Sequence, residues 1–214
     1  MNIEAVIFDL DGVIVATDEL HFYSWQKLAD EEGIDFNDAI YENMRGKSRS
    51  EGLNALLKRS EHFYSDQEKL MLANRKNSYF LQYLSSLSFK DVLPGVIELL
   101  DKLKLAGINL AIGSSSKNAL ITLEKIGLLN YFDVIVDGTD VLEGKPNPQI
   151  FQIVSDKLRV PPHKCLVIED SLAGVEAAVA LGMPVVGLGN AAKYEVVSLP
   201  VESLTNIKIE TILK

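Results

Sequence analysis

Residues 3–13 read IEAVIFDLDGV, a short apolar run that ends on Asp9 and Asp11 with one leucine between them. Such a run reads as a buried strand with Asp9 at its carboxyl end. From about residue 92 the same grammar recurs. VLPGVIELLDKLKLAG (92–107) has apolar residues at helical spacing and a Gly107 stop. INLAIGSSS (108–116) reads as a strand feeding a Ser-rich turn, NALITLEKIGLL (118–129) as a helix and FDVIVDG (132–138) as a strand. NPQIFQIVSDKL (147–158) is a helix, KCLVIEDS (164–171) a strand, AGVEAAVALG (173–182) a helix and MPVVGLG (183–189) a strand. Strands alternating with helices predict an α/β fold: a doubly wound, Rossmann-like parallel sheet.

Between residues 16 and 90 the grammar changes to helical patterns alone: ELHFYSWQKLADEEG (19–33), FNDAIYENM (36–44), SRSEGLNALLKRS (48–60) and DQEKLMLANRKNSYFLQYLSSL (66–87). This predicts a helical cap over 16–90 inserted into a core made of 1–15 and 91–214. Two linkers would join cap to core and could act as a hinge.

The chain has 214 residues, enough for one domain with a modest insertion. Hydrophobic residues make up 47%, which excludes a disordered or low-complexity chain. Thirty acids against 21 bases give a net charge of −9, which argues against nucleic acid as a partner. Cys165 is the single cysteine, so no internal disulfide can form and a reducing compartment is expected. The amino terminus lacks a basic n-region, and no apolar run reaches the roughly 18 residues of a membrane span. A soluble, cytoplasmic protein is therefore expected.

Ligands of open α/β sheets gather beyond the carboxyl ends of the strands. The groups predicted there are Asp9 and Asp11; Ser114, Ser115 and Ser116; and Glu169 and Asp170, with Lys145 in the loop after 132–138. Clustered carboxylates would repel a phosphate unless a cation sits among them. All-oxygen ligands favour Mg²⁺ over zinc or copper. The three histidines are scattered, and no P-loop or GxSxG elbow is present. Each piece alone has a plain reading. Asp-x-Asp could be a solvated turn, Glu169-Asp170 a helix cap, the serines a turn and N-cap, and Lys145 a surface lysine.

Together the pieces resemble the haloacid dehalogenase superfamily: FDLDGV (8–13), SSSKN (114–118), GKPNP (144–148) and VIEDSLAG (167–174) occur in that family's order. The cap segments LHFYSW (20–25), MRGKSR (44–49) and NRKN (74–77) are similar to its β-phosphoglucomutase-like branch. The resemblance implies an enzyme that interconverts β-glucose 1-phosphate and glucose 6-phosphate, with Mg²⁺ as cofactor and a sugar 1,6-bisphosphate as priming activator. It implies Asp9 as nucleophile and Asp11 as general acid–base, with Ser114 and Lys145 on the transferring phosphoryl group. Mg²⁺ would be held by Asp9, Asp11 through its carbonyl, Glu169 and Asp170. Ser115, Ser116, Lys117, Asn118 and Arg49 would grip the second phosphate; Gly46 and Lys47 would lie along the sugar; His21 and Lys76 would orient it; and Thr17 would sit at the hinge. A phosphorylated sugar is the expected partner, the chain is expected to be a monomer, and a sugar-phosphate phosphatase is the alternative. A non-catalytic binding module would have lost Asp9 or Asp11, and a dehalogenase lacks the second aspartate.

Overall fold

The structure, a computed structural model, describes residues 2–205 and 207–213. Six strands, β1 (Ala5–Phe8), β2 (Asn109–Gly113), β3 (Val134–Val136), β4 (Cys165–Glu169), β5 (Val185–Leu188) and β6 (Leu199–Val201), form one sheet in the order β3-β2-β1-β4-β5-β6. Every pairing is parallel. Side chains alternate across a strand, and β1 shows the result. Val6 and Phe8 join one apolar layer with Leu99 and Leu103 of α5 (Val96–Leu105) and Leu123 of α6 (Ala119–Lys125). Ala5 and Ile7 join the opposite layer with Phe151 and Val154 of α7 (Gln149–Leu158) and Val175 of α8 (Leu172–Val179). The sheet is thus covered on both faces, as its continuous apolar strands require.

Strand β6 is a difference from the sequence expectation. Its segment is three residues long and contains Pro200, which argues against a central strand. It lies at the sheet edge, where a missing N–H is tolerated. A last short helix, Ile209–Ile212, packs Ile212 into the first apolar layer.

Four helices stand between β1 and α5: α1 (Asp18–Glu32), α2 (Asp38–Glu42), α3 (Arg49–Leu57) and α4 (Asp66–Leu84). They bury a core of their own, including Trp25, Leu28, Leu53, Leu56 and Leu72. The far end of α4 leaves that core and inserts Phe80 and Leu84 into the layer against the sheet. The two connecting strands of chain run side by side. Leu93 N donates to Ile14 O at 3.0 Å and Ala16 N to Asp91 O at 3.0 Å, and Val15 bridges Val92.

Candidate active site

Register brings the distant acids together. Phe8 is level with Ile168, and Asp9 N donates to Ile168 O at 3.0 Å, so Asp9 and Glu169 leave neighbouring strands at one height. Carboxylate oxygens of Asp9, Glu169 and Asp170 lie within 4.8 Å of one another, and all three residues are buried. Lys145, fully buried, places Nζ 2.6 Å from Asp9 Oδ1 and 2.6 Å from Glu169 Oε1. Glu169 Oε2 accepts from Asp170 N, Ser171 N and Ser171 Oγ, each at 2.9 Å. Gly174 is what admits this carboxylate: a Cβ there would stand 1.7 Å from Glu169 Oε1.

One cation, Lys145, against three buried acids leaves the cluster short of positive charge. Burial raises the Asp9 carboxyl, Lys145 opposes the rise, and Glu169 and Asp11 add to it, for a net pKa of about 7. Asp170 is raised too, by burial and then by Glu169. A dry, all-oxygen cluster short of positive charge suits a hard divalent cation.

Asp11 is held differently. Thr17 Oγ1 donates to Asp11 Oδ1 at 2.5 Å, and His21 Nε2 lies 3.4 Å from the same oxygen without a well-formed hydrogen bond. Lys76 Nζ meets His21 Nδ1 at 2.9 Å. His21 stacks on Phe80, and Lys76 lies 4.8 Å from the Trp25 ring centroid. Burial works to raise Asp11, but His21, Thr17 and Lys76 overcome it and its pKa is lowered. Burial, then Lys76, lowers the His21 imidazole, while Asp11 opposes the fall. Burial and the nearby Arg49 push Lys76 down to about 7.

The other end of the pocket is basic. Arg49 opens α3, whose start is fixed by a reciprocal cap: Glu51 N donates to Ser48 Oγ at 3.3 Å, and Ser48 N to Glu51 Oε2 at 3.0 Å. Arg49, Lys47, Lys76 and Lys117 line the pocket, and among the described residues none has a carboxylate within ion-pair distance. Ser115 and Ser116 line it as well, whereas Ser114 is fully buried behind them and accepts from Ser116 N at 3.1 Å. Asn118 donates to Asn77 Oδ1 at 2.9 Å, joining the core to α4.

Two of the expected residues also make packing contacts. Thr17 is fully buried behind Asp11 and does not face the pocket. Gly46 lines the pocket but also packs on the core, its carbonyl accepting from Ser115 Oγ at 2.8 Å. With φ +72° and a virtual Cβ 2.1 Å from Ser171 Oγ, position 46 needs glycine on both counts.

Trp25, Asp18 and Arg45 are among the pocket residues that escaped the sequence reading. Trp25 carries Lys76 over its ring. Asp18 and Arg45 form a polar wall: Arg45 Nε is 3.2 Å from Asp18 Oδ1, and Arg45 NH2 pairs with Asp170 Oδ2. The available signal was a second arginine beside a left-handed glycine in MRGKSR.

With this geometry in place, the comparisons are direct. Residues 6–188 match the family described as haloacid dehalogenase-like hydrolase. The chain is 38% identical over 209 residues to the β-phosphoglucomutase of Bacillus subtilis, covering 97% of this chain and 92% of that one. It is 36% identical over 183 residues to a phosphorylated carbohydrates phosphatase of Thermotoga maritima, covering 84% of this chain and 82% of that one. The crystal structure of a β-phosphoglucomutase from Clostridium difficile superposes with TM-score 0.93 at 37% identity, covering 98% of this chain and 95% of that one.

Proposed function

The chain belongs to the haloacid dehalogenase-like hydrolase family, and from that premise we propose that it is an enzyme with β-phosphoglucomutase activity, interconverting β-glucose 1-phosphate and glucose 6-phosphate. One observation carries the reading. The pocket has two poles, an acidic one at Asp9 and a basic one of Arg49, Lys47 and Lys117, with no acid among the described residues on those cations. A substrate that bears a phosphate at each end, the sugar 1,6-bisphosphate, satisfies both poles.

Asp9, the Asp11 carbonyl, Glu169 and Asp170 would hold Mg²⁺. When bound it shields Asp9 from the incoming phosphate and polarises the phosphoryl group. Glu169 Oε2 is saturated by backbone and Ser171, so Oε1 is the oxygen it could offer. Asp9 attacks phosphorus in line and becomes an aspartyl phosphate, an acyl phosphate reactive enough to pass its group on. Lys145, held between Asp9 and Glu169, is placed for the oxygens on which charge spreads. Ser114 orders the turn that follows β2 by accepting from the amide of Ser116. Asp11, whose pKa His21, Thr17 and Lys76 hold down against burial, takes the proton of the accepting sugar hydroxyl and returns it to the leaving one. Thr17 fixes Asp11, while His21, aligned by Lys76, stands beside it. The bisphosphate intermediate turns over and Asp9 takes back the other phosphoryl group.

The four inserted helices serve as a cap over residues 16–90. Their closure on the core excludes the water that would hydrolyse Asp9 phosphate. A chain with one buried thiol and a net charge of −9 suits a monomer working in the cytoplasm. Among the described residues no helix is long and apolar enough to cross a membrane.

The test follows product from β-glucose 1-phosphate with Mg²⁺ and a trace of glucose 1,6-bisphosphate. Glucose 6-phosphate in stoichiometric yield is expected. Free glucose and inorganic phosphate as the main products would instead assign the site to a sugar-phosphate phosphatase.

A further inference from the structure

Arg45 has no part in the transfer just described, yet it is among the most firmly held cations of the cap. It follows α2, between Met44 in the cap core and Gly46 on the core domain. Its Nε is 3.2 Å from Asp18 Oδ1, its NH1 3.4 Å from Glu42 Oε2, and its NH2 is on Asp170 Oδ2. Asp18 is itself fixed by the Tyr41 hydroxyl at 2.8 Å. Acids of the cap therefore aim one guanidinium at a carboxylate of the core. Arg45 and Asp170 also form the wall between the pocket and a second groove of ≈ 540 Å³ bordered by Gly12, Leu93 and Asn190.

We propose that Arg45 is a built-in counter-ion that opposes the divalent cation, so that cap closure and metal occupancy weaken each other until phosphate arrives. This rests on reading Asp9, Glu169 and Asp170 as the metal site. With Lys145 on Asp9 and Glu169, the cluster of three acids keeps two negative charges once all three are ionised, and Arg45 is attracted to it. A divalent cation makes the cluster neutral and removes that attraction. A bound phosphoryl dianion restores two negative charges and draws Arg45 back. The cap is thus closed on the empty site, loosened by metal alone, and closed again on metal plus phosphate. By linkage, whatever the cation does to closure, closure does to the cation.

The experiment measures Mg²⁺ binding by calorimetry, with no sugar phosphate present, on the wild type, Arg45→Met and Asp18→Asn. Wild type binds one Mg²⁺ per chain, and Arg45→Met binds it about fivefold or more tightly, the lower end of ordinary coupling between sites. Asp18→Asn, which frees the guanidinium without touching the acids of the cluster, shifts affinity the same way and serves if Arg45→Met does not fold. A fluorophore pair across cap and core reports opening by Mg²⁺ in wild type and no Mg²⁺ response in Arg45→Met. Folded variants that bind Mg²⁺ as wild type does, or more weakly, overturn the proposal and make Arg45 a mere holder of Asp170. A wild type that binds no Mg²⁺, or whose binding survives Asp170→Asn, removes the metal site itself and the proposal with it.

Discussion

Lys145 is the residue on which the acidic end turns. It is fully buried and joins Asp9 to Glu169, residues far apart in sequence, through two contacts of 2.6 Å. Breaking a buried ion pair from one side leaves charge without a partner, at a cost of about 3–5 kcal/mol. Lys145→Met should lower stability by about that much in urea unfolding with chelator present, and Mg²⁺ should recover part of the loss. A loss below about 1 kcal/mol, the range of an exposed pair, would mean that Lys145 is not the partner assigned to it. Lys76 gives a pH signature. Its folded pKa, near 7, lies below the ordinary 10.5, so between these values the unfolded chain binds a proton that the folded chain does not. Stability contributed by this group therefore rises with pH from about 7 to 10.5, and its penalty is complete below 7. Lys76→Met should be stabilised most at low pH and should lose that rise; parallel wild-type and variant curves across the window would contradict it. At this scale much could be read from residue type. Acids at strand ends and a lysine in the adjoining loop pointed to a cation and a phosphate. Arg45 could not be found that way, because its meaning depends on Asp18 and Asp170, which sequence places 27 and 125 positions away.

At the scale of elements, the strand–helix alternation after residue 92 and the helical run before it were legible because apolar periodicity differs so sharply between them. The edge strand β6 was not, since three residues with a central proline carry no periodicity. Nor could the sequence show that α4 serves two cores, Leu72 in one and Phe80 with Leu84 in the other, because both faces are simply apolar. The turn between α2 and α3 is the element most exposed to test. Gly46 holds φ +72°, leaves no room for a Cβ against Ser171, and accepts from Ser115. Gly46→Ala should push the cap off the core. Hydrolysis of the phosphoenzyme should then increase relative to mutase turnover, by about tenfold if closure loses roughly 1.4 kcal/mol. An unchanged ratio of free phosphate to glucose 6-phosphate would show that this contact does not govern closure.

Across the whole molecule, cap and core meet at the pocket through polar contacts: Ser115 to Gly46, Asn118 to Asn77, Asn190 to Glu42, and Arg45 to Asp170. Polar contacts of this kind are individually worth about 1 kcal/mol net, so a closure made of them is reversible. The paired linkers at Ile14–Ala16 and Asp91–Leu93 run side by side between the inserted helices and the sheet, and Phe80 and Leu84 of α4 pack in the apolar layer beside them. A site with an acidic pole on the core and a basic pole shared with the cap is complete when the two bodies meet. The central claim is that Asp9 carries the phosphoryl group between two ends of one sugar. It is tested by mixing the protein with Mg²⁺ and glucose 1,6-bisphosphate labelled in one phosphoryl group, quenching in acid, where an acyl phosphate survives, and mapping the labelled peptides at low pH. The label should be found on the peptide that contains Asp9, with label also in hexose monophosphate, and both signals should vanish in Asp9→Asn. Label on another residue, or turnover that persists in Asp9→Asn, would contradict the account.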